Sequence, residues 1–328
     1  MAVRPQFQRL VERVRMRPPL AAAIVYPCDR DSLQTALSGA FAGYLEPILV
    51  GPEGRIRDTA LRAGLDISRL PIVDTADDPR AAGQRAAEVV RDGKVAALVK
   101  GSMSDGDLLA PVAASESGLR TERRLSHASF LDLPGRPNGM LVADAQLNIA
   151  PNLAAKKDIV ANTVELAHAL GVSVPSVALL AAMDYVTPAF ASTADAAALK
   201  SMAEQGLFGK TACEGPLTAD TALSAEAARA NGVKSDLAGH PDVLIAPSME
   251  AASLLLRTLT GLTGGLAAGI VLGARIPIVV PARTDSMEVR MASCVLASLI
   301  VAARAPASGT EVKPVTAARP AETARAAA

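Results

Sequence analysis

Between residues 21 and 280, uncharged apolar runs of strand length alternate with longer amphipathic stretches, and this rhythm constrains the fold more than any other feature. The runs fall at 21–26, 47–50, 71–73, 95–99, 140–143, 177–180, 243–246 and 276–280. Segments 31–42, 78–91, 153–170, 194–204 and 250–262 have helical spacing between them. Alternation of this kind predicts βαβ crossovers and a mostly parallel sheet covered on both faces, a three-layer α/β/α architecture. Start signals support the helices: Asp31 and Ser32, Asp78 before Pro79, Thr193 with Asp195, and Ser248 with Glu250. Gly171 follows a helix ending at Leu170, as a C-terminal capping glycine does.

Charge and composition narrow the partners. The 33 Lys and Arg balance 33 Asp and Glu, and aromatics make up 2% with no Trp, so a basic field and stacking platforms for nucleic acid are lacking. Three cysteines (Cys28, Cys213, Cys294) and three histidines (His127, His168, His240) are scattered without metal-type spacing. The charged N-terminal segment is unlike a signal peptide, and glycines split the longest apolar run (259–272). The expectation is a cytoplasmic protein without membrane contact, acting on a small polar or anionic metabolite. The tail, 305–328, is rich in Ala, Pro and Thr without apolar periodicity and reads as disordered.

Polar residues gather where the apolar runs stop: 26–29, 100–102, 144–148, 247–250 and 281–286. In a parallel sheet such ends share one edge, so these loops are expected to converge. Lys100-Gly101-Ser102 combines a cation, a close-approach glycine and a hydroxyl just before a helix start, a turn suited to phosphate. The plainer reading of each loop alone is a capped helix start.

Six segments carry a family resemblance: Ser126-His127 with the apolar run after it, ADAQLNIAPNL (143–153), STADAAALKSMAE (192–204), EGPLTADTAL (214–223), AGHPDVLIAPSMEA (238–251) and AAGIVLGARIPIVVPARTDS (267–286). Their order and spacing resemble the phosphate acetyltransferase and phosphate butyryltransferase family, most closely the form fused to enoyl-CoA hydratases. The resemblance implies two α/β domains around a cleft, of the isocitrate/isopropylmalate dehydrogenase type. Residues 1–142 with 270–304 would form the first and 143–269 the second, usually in a homodimer. It also implies exchange of a short acyl group between coenzyme A and inorganic phosphate, with coenzyme A as a substrate and no metal or bound cofactor.

By the same resemblance, Arg283 matches the arginine of the family's Ser-Arg pair and Asp285 and Ser286 its Arg-x-Asp-Ser pattern, which makes these three the catalytic candidates. Lys100, Ser102, Arg124, His127, Asp144, Asn148, Glu214 and Glu250 are the substrate-binding candidates. Several polar positions depart from the pattern: Ala282 replaces the serine, Glu214 an aspartate and Arg257 a lysine, and Ser253 ends a stretch that normally closes in Gly-Asn. A working acyltransferase and a catalytically weakened member that binds CoA esters or phosphate, as a binding or regulatory protein, are the two readings. A related hydroxyacid dehydrogenase is weaker, because a dinucleotide fingerprint is absent.

Overall fold

A computed structural model describes residues 4–305, so most of the tail expected to be disordered lies outside the described residues. Eleven strands form one sheet: β1 (Leu20–Val25), β2 (Leu45–Gly51), β3 (Ile72–Asp74), β4 (Ala97–Lys100), β5 (Ser126–Asp132), β6 (Met140–Ala143), β7 (Ser176–Leu180), β8 (Ala212–Leu217), β9 (Val243–Ile245), β10 (Leu266–Leu272) and β11 (Ile278–Val279). The helices are α1 (Pro5–Arg15), α2 (Arg30–Phe41), α3 (Glu53–Ala63), α4 (Pro79–Arg91), α5 (Asp105–Ala113), α6 (Leu153–Ala169), α7 (Ala191–Glu204), α8 (Ala219–Leu223), α9 (Ala225–Ala230), α10 (Met249–Thr263) and α11 (Met287–Arg304). Strand order is β3-β2-β1-β4-β11-β10-β5-β6-β9-β7-β8. Among the described residues no helix is long and apolar enough to cross a membrane.

The sheet is mostly parallel, as the rhythm predicts, but its middle is not. β10 runs antiparallel to both β11 and β5, and β5 antiparallel to β6. The parallel group β3-β2-β1-β4-β11 therefore points opposite to the parallel group β6-β9-β7-β8. This corrects the expectation that all strand ends share one edge. Loops after β1, β4 and β11 lie on one edge, and those after β6 and β9 leave from the other. Twist brings the two sets near each other again. Adjacent strands rotate by roughly 20–25°, so the four steps from β4 to β6 turn the strands through about 80–100°.

Period-two alternation sorts the core. On one face, Ala22, Ile24, Val99, Ala128, Phe130, Ala268, Ile270, Leu141, Leu179 and Val243 belong to one continuous apolar cluster that covers the whole sheet. On the other face the core is split. Ala23, Val25, Leu98 and Val271 pack under α4 and α5, while Leu131, Val142, Ala178 and Leu244 pack with Ala222 of α8 and Ala252 of α10. Between these two cores the same-face positions of β5 and β10 are His127, Ser129 and Gly269, so the apolar layer is interrupted there.

Helix starts differ in detail from the sequence signals. Asp29, not Asp31 or Ser32, caps α2 by accepting the Ser32 N–H, whereas Asp78 and Ser248 cap α4 and α10 as predicted. Thr193 lies inside α7, where its hydroxyl donates to the Phe190 carbonyl at 2.7 Å. Gly171 does follow α6, with φ +99°.

The β4–α5 turn is packed tightly against β1. The Gly101 N–H donates to Val25 O and that of Ser102 to Tyr26 O, each at 2.8 Å. A Cβ at Gly101 would lie 2.6 Å from both carbonyl oxygens. Gly101→Ala is expected to lower the unfolding free energy by about 1–3 kcal/mol through overpacking. An unshifted urea-unfolding midpoint would contradict this packing.

Candidate active site

The interruption between the two cores is where the sequence's polar residues meet. Lys100 shares the face of Leu98, and Asp144 that of Val142, so both emerge on the side of the split core. The Lys100 side chain is only 12% exposed and is ion-paired with Asp105 in the first turn of α5. The second carboxylate oxygen of Asp105 accepts from Gln146 Nε2 at 2.8 Å. This contact links the loop after β4 to the loop after β6, and so the two strand groups.

Asp144 is buried and organises its own loop. Its Oδ1 accepts the N–H groups of Gln146 (2.9 Å) and Leu147 (3.0 Å), and its Oδ2 accepts Asn148 Nδ2 at 2.6 Å. Asn148 Nδ2 also donates to Leu125 O at 2.9 Å, which fixes the loop to the start of β5. These bonds hold a five-residue loop in one shape. The Met249 N–H donates to Ile149 O, joining the start of α10 to the same loop.

His127 lies beneath this cluster, 5% exposed, with its ring against Gly269, where a Cβ would collide with the imidazole. Its Nδ1 is buried without a hydrogen-bond partner. Burial lowers the imidazole pKa, and the nearby carboxylates of Asp144, Asp105 and Asp285 oppose that shift without reversing it. The ring is therefore neutral in the folded protein at neutral pH.

The turn after β11 closes the site. Asp285 Oδ2 accepts the Ala282 N–H at 2.8 Å, and buried Arg290 donates to Ala282 O (3.1 Å) and Asp285 O (3.2 Å). Arg290 thus clamps the turn by its backbone and leaves the Arg283 side chain exposed. Ser286 caps α11 by accepting the Val289 N–H at 3.3 Å. Ser102 is half-buried in the adjoining β4–α5 turn.

Three sequence candidates make no side-chain hydrogen bond or ion pair with these groups among the described residues. Glu214 is in β8, the last strand of the sheet, and pairs with Lys200 at 3.0 Å. Glu250 is exposed in the first turn of α10. Arg124 precedes β5, donates its backbone N–H to Asp158, and lines, with Arg120, a cavity of about 630 Å³ that borders the site loop at Leu147 and Asn148. Conversely, Asp105 and Gln146 were not singled out from the sequence. The available signal was an acid five residues after Lys100 and a glutamine inside the 143–153 segment.

Nucleophilic cysteine chemistry is disfavoured. Burial raises the thiol of Cys28 to about 11 and those of Cys213 and Cys294 to about 12, so none is a thiolate near neutrality. Among the described residues no group of three or more His, Cys, Asp or Glu side chains is placed to hold a metal ion. A cation, a fixed carboxylate turn and an ordered loop brought together instead suit an anionic substrate in direct group transfer.

The neutral His127 has a thermodynamic signature. Its folded pKa is lowered, so the unfolded chain binds the extra proton, and acidification below the unfolded value near 6.5 costs stability until the folded value is reached. His127→Asn is expected to flatten the fall in unfolding free energy from pH 6.5 to pH 5, by at most about 1.4 kcal/mol per pH unit. Equal slopes in the two proteins would mean that the ring does not carry this linkage.

Comparison with known proteins agrees with this geometry. A family model described as "Phosphate acetyl/butaryl transferase" matches residues 81–298. The phosphate acetyltransferase of Rhizobium meliloti is 44% identical over 299 residues, covering 91% of this chain and 94% of that protein. The phosphate butyryltransferase of Clostridium acetobutylicum is 33% identical over 294 residues, covering 90% and 97%. A branched-chain phosphotransacylase from Enterococcus faecalis V583 superposes with a TM-score of 0.74 at 26% identity, covering 86% of this chain and 99% of that one. With the sheet and the matched length in accord, the chain belongs to the phosphate acetyl/butyryl transferase family of enzymes.

Proposed function

We propose that the protein exchanges a short acyl group between coenzyme A and inorganic phosphate, at the junction of Lys100, Asp105, Gln146 and the 282–286 turn. The observation that carries the reading is a largely buried ammonium, Lys100, at the end of a parallel strand in a chain of this family. In one direction a phosphate oxygen attacks the thioester carbonyl carbon. The tetrahedral oxyanion then collapses, the C–S bond breaks and the CoA thiolate leaves, taking up a proton. In reverse, the thiol attacks the acyl phosphate, gives its proton to a base and expels phosphate as the C–O bond breaks.

Each step has a group suited to it on the page. Lys100 and Arg283 supply positive charge for phosphate and the developing oxyanion. Asp285, held through one oxygen by the Ala282 N–H, offers the other to the thiol proton. Coenzyme A is a substrate here, and the reaction as written needs no metal.

The remaining parts of the reading concern the assembly. The division into 1–142 with 270–304 and 143–269 is part of the same proposal; the split core on one face separates the α4–α5 side from the α8–α10 side, but Leu131 and Val142 of the first segment pack on the latter. A homodimer is supported by α10, which leaves Leu254 and Leu262 69% and 83% exposed. A cytoplasmic location fits three unbridged cysteines.

The test is phosphate-dependent release of free thiol from acetyl-, propionyl- or butyryl-CoA, unaffected by a chelator. Arg283→Lys keeps the charge but loses the planar fork, and is expected to lower kcat/KM at least about tenfold with little change in Tm. Activity equal to wild type, or a large drop in Tm, would make Arg283 structural. Absence of turnover with retained phosphate binding would favour the weakened, binding-only reading, to which Ala282 in place of serine points.

A further inference from the structure

Lys100 and its partner raise a question of charge balance. The ammonium at the end of β4 is largely buried and already neutralised by Asp105. That carboxylate sits in the first turn of α5, behind the Ser104 cap, where the helix end itself favours an anion. Its other oxygen is held by Gln146. Asp105 thus occupies the position that an incoming anion would take: beside the ammonium, at a helix N-terminus, with a side-chain amide donor opposite.

We propose that Asp105 is an internal counter-ion that inorganic phosphate displaces from Lys100, and that it thereby sets the affinity of the site for phosphate. The proposal rests on the reading of Lys100 as a phosphate anchor. A carboxylate and a phosphate dianion on one ammonium repel each other at close range, so the two compete for Lys100, whose side chain is 12% exposed beside an Asp105 that is 33% exposed. Displacement also breaks the Gln146 contact. Because Gln146 belongs to the loop fixed by Asp144 and Asn148, phosphate binding loosens the only side-chain hydrogen bond found between that loop and α5 among the described residues.

The geometry separates charge from tethering. Asp105→Asn is nearly isosteric and keeps an acceptor for Gln146 but removes the competing charge. It is expected to lower both the directly titrated Kd for inorganic phosphate and the KM for phosphate about tenfold, with the KM for acetyl-CoA within twofold of wild type. Gln146→Leu removes the tether and its amide donor without changing charge, and should not reproduce the gain in phosphate affinity. Should the amide variant not fold, Asp105→Ser, which keeps an oxygen at the helix start, gives the same reading.

An unchanged or weaker phosphate affinity in the neutral variants would overturn the proposal, as would an equal gain in Gln146→Leu. Wild-type protein that releases no thiol, yet binds phosphate more tightly once Asp105 is neutralised, would refute acyl transfer and leave the counter-ion standing. Absence of phosphate binding in wild type and variants alike would refute both.

Discussion

The antiparallel block β10-β5-β6 in the middle of the sheet is the constraint on which the rest depends. It reverses the direction of the second parallel group, so the two sets of strand ends leave from opposite edges. Twist across the block then turns them toward each other. The same block interrupts one apolar layer, because β5 and β10 present His127, Ser129 and Gly269 on the face where neighbouring strands present aliphatic side chains. Packing on the opposite face is continuous.

Electrostatics follow from this geometry. Aspartates 105, 144 and 285 lie near one buried, neutral imidazole. The 144–148 loop donates to both Asp144 and Asp105, and the Ala282 N–H donates to Asp285. Such a cluster is tolerable because every carboxylate is hydrogen-bonded or paired. In the proposed reading the anionic substrate binds at Lys100, which is largely buried and paired, and at Arg283, which is exposed.

The apolar rhythm showed strands with two apolar faces more clearly than those with one, for a physical reason. β1, β2, β4, β7 and β9 are buried on both faces and so read as unbroken apolar runs, as do β6 and β11 in the middle of the sheet. β5 and β10 have one face that is partly polar or bare, and their runs are broken by His127, Ser129 and Gly269. β8, at the edge, gives no such run. Residues 259–272 look like one glycine-split run, but contain the end of α10, a turn at Gly264 with φ +65°, and β10. The mostly parallel sheet is legible, but which strands run antiparallel is not, since apolar pattern carries no sign. In the site, Lys100, His127, Asp144, Asn148 and Asp285 stood out by type and position. Asp105 and Gln146 did not, because their significance is a contact across 41 residues of chain. Glu214 was equally visible, yet its partner is Lys200 at the edge of the sheet.

In the proposed reading, the anion site lies at the crossing of the β4–α5 turn and the 144–148 loop. A crystal structure of the wild-type protein with millimolar inorganic phosphate tests it most directly. Phosphate is predicted within hydrogen-bonding distance of Lys100 Nζ, with the Asp105 carboxylate moved off the ammonium. Phosphate seated instead in the cavity beside Arg120 and Arg124, with Lys100 still paired to Asp105, would contradict the account.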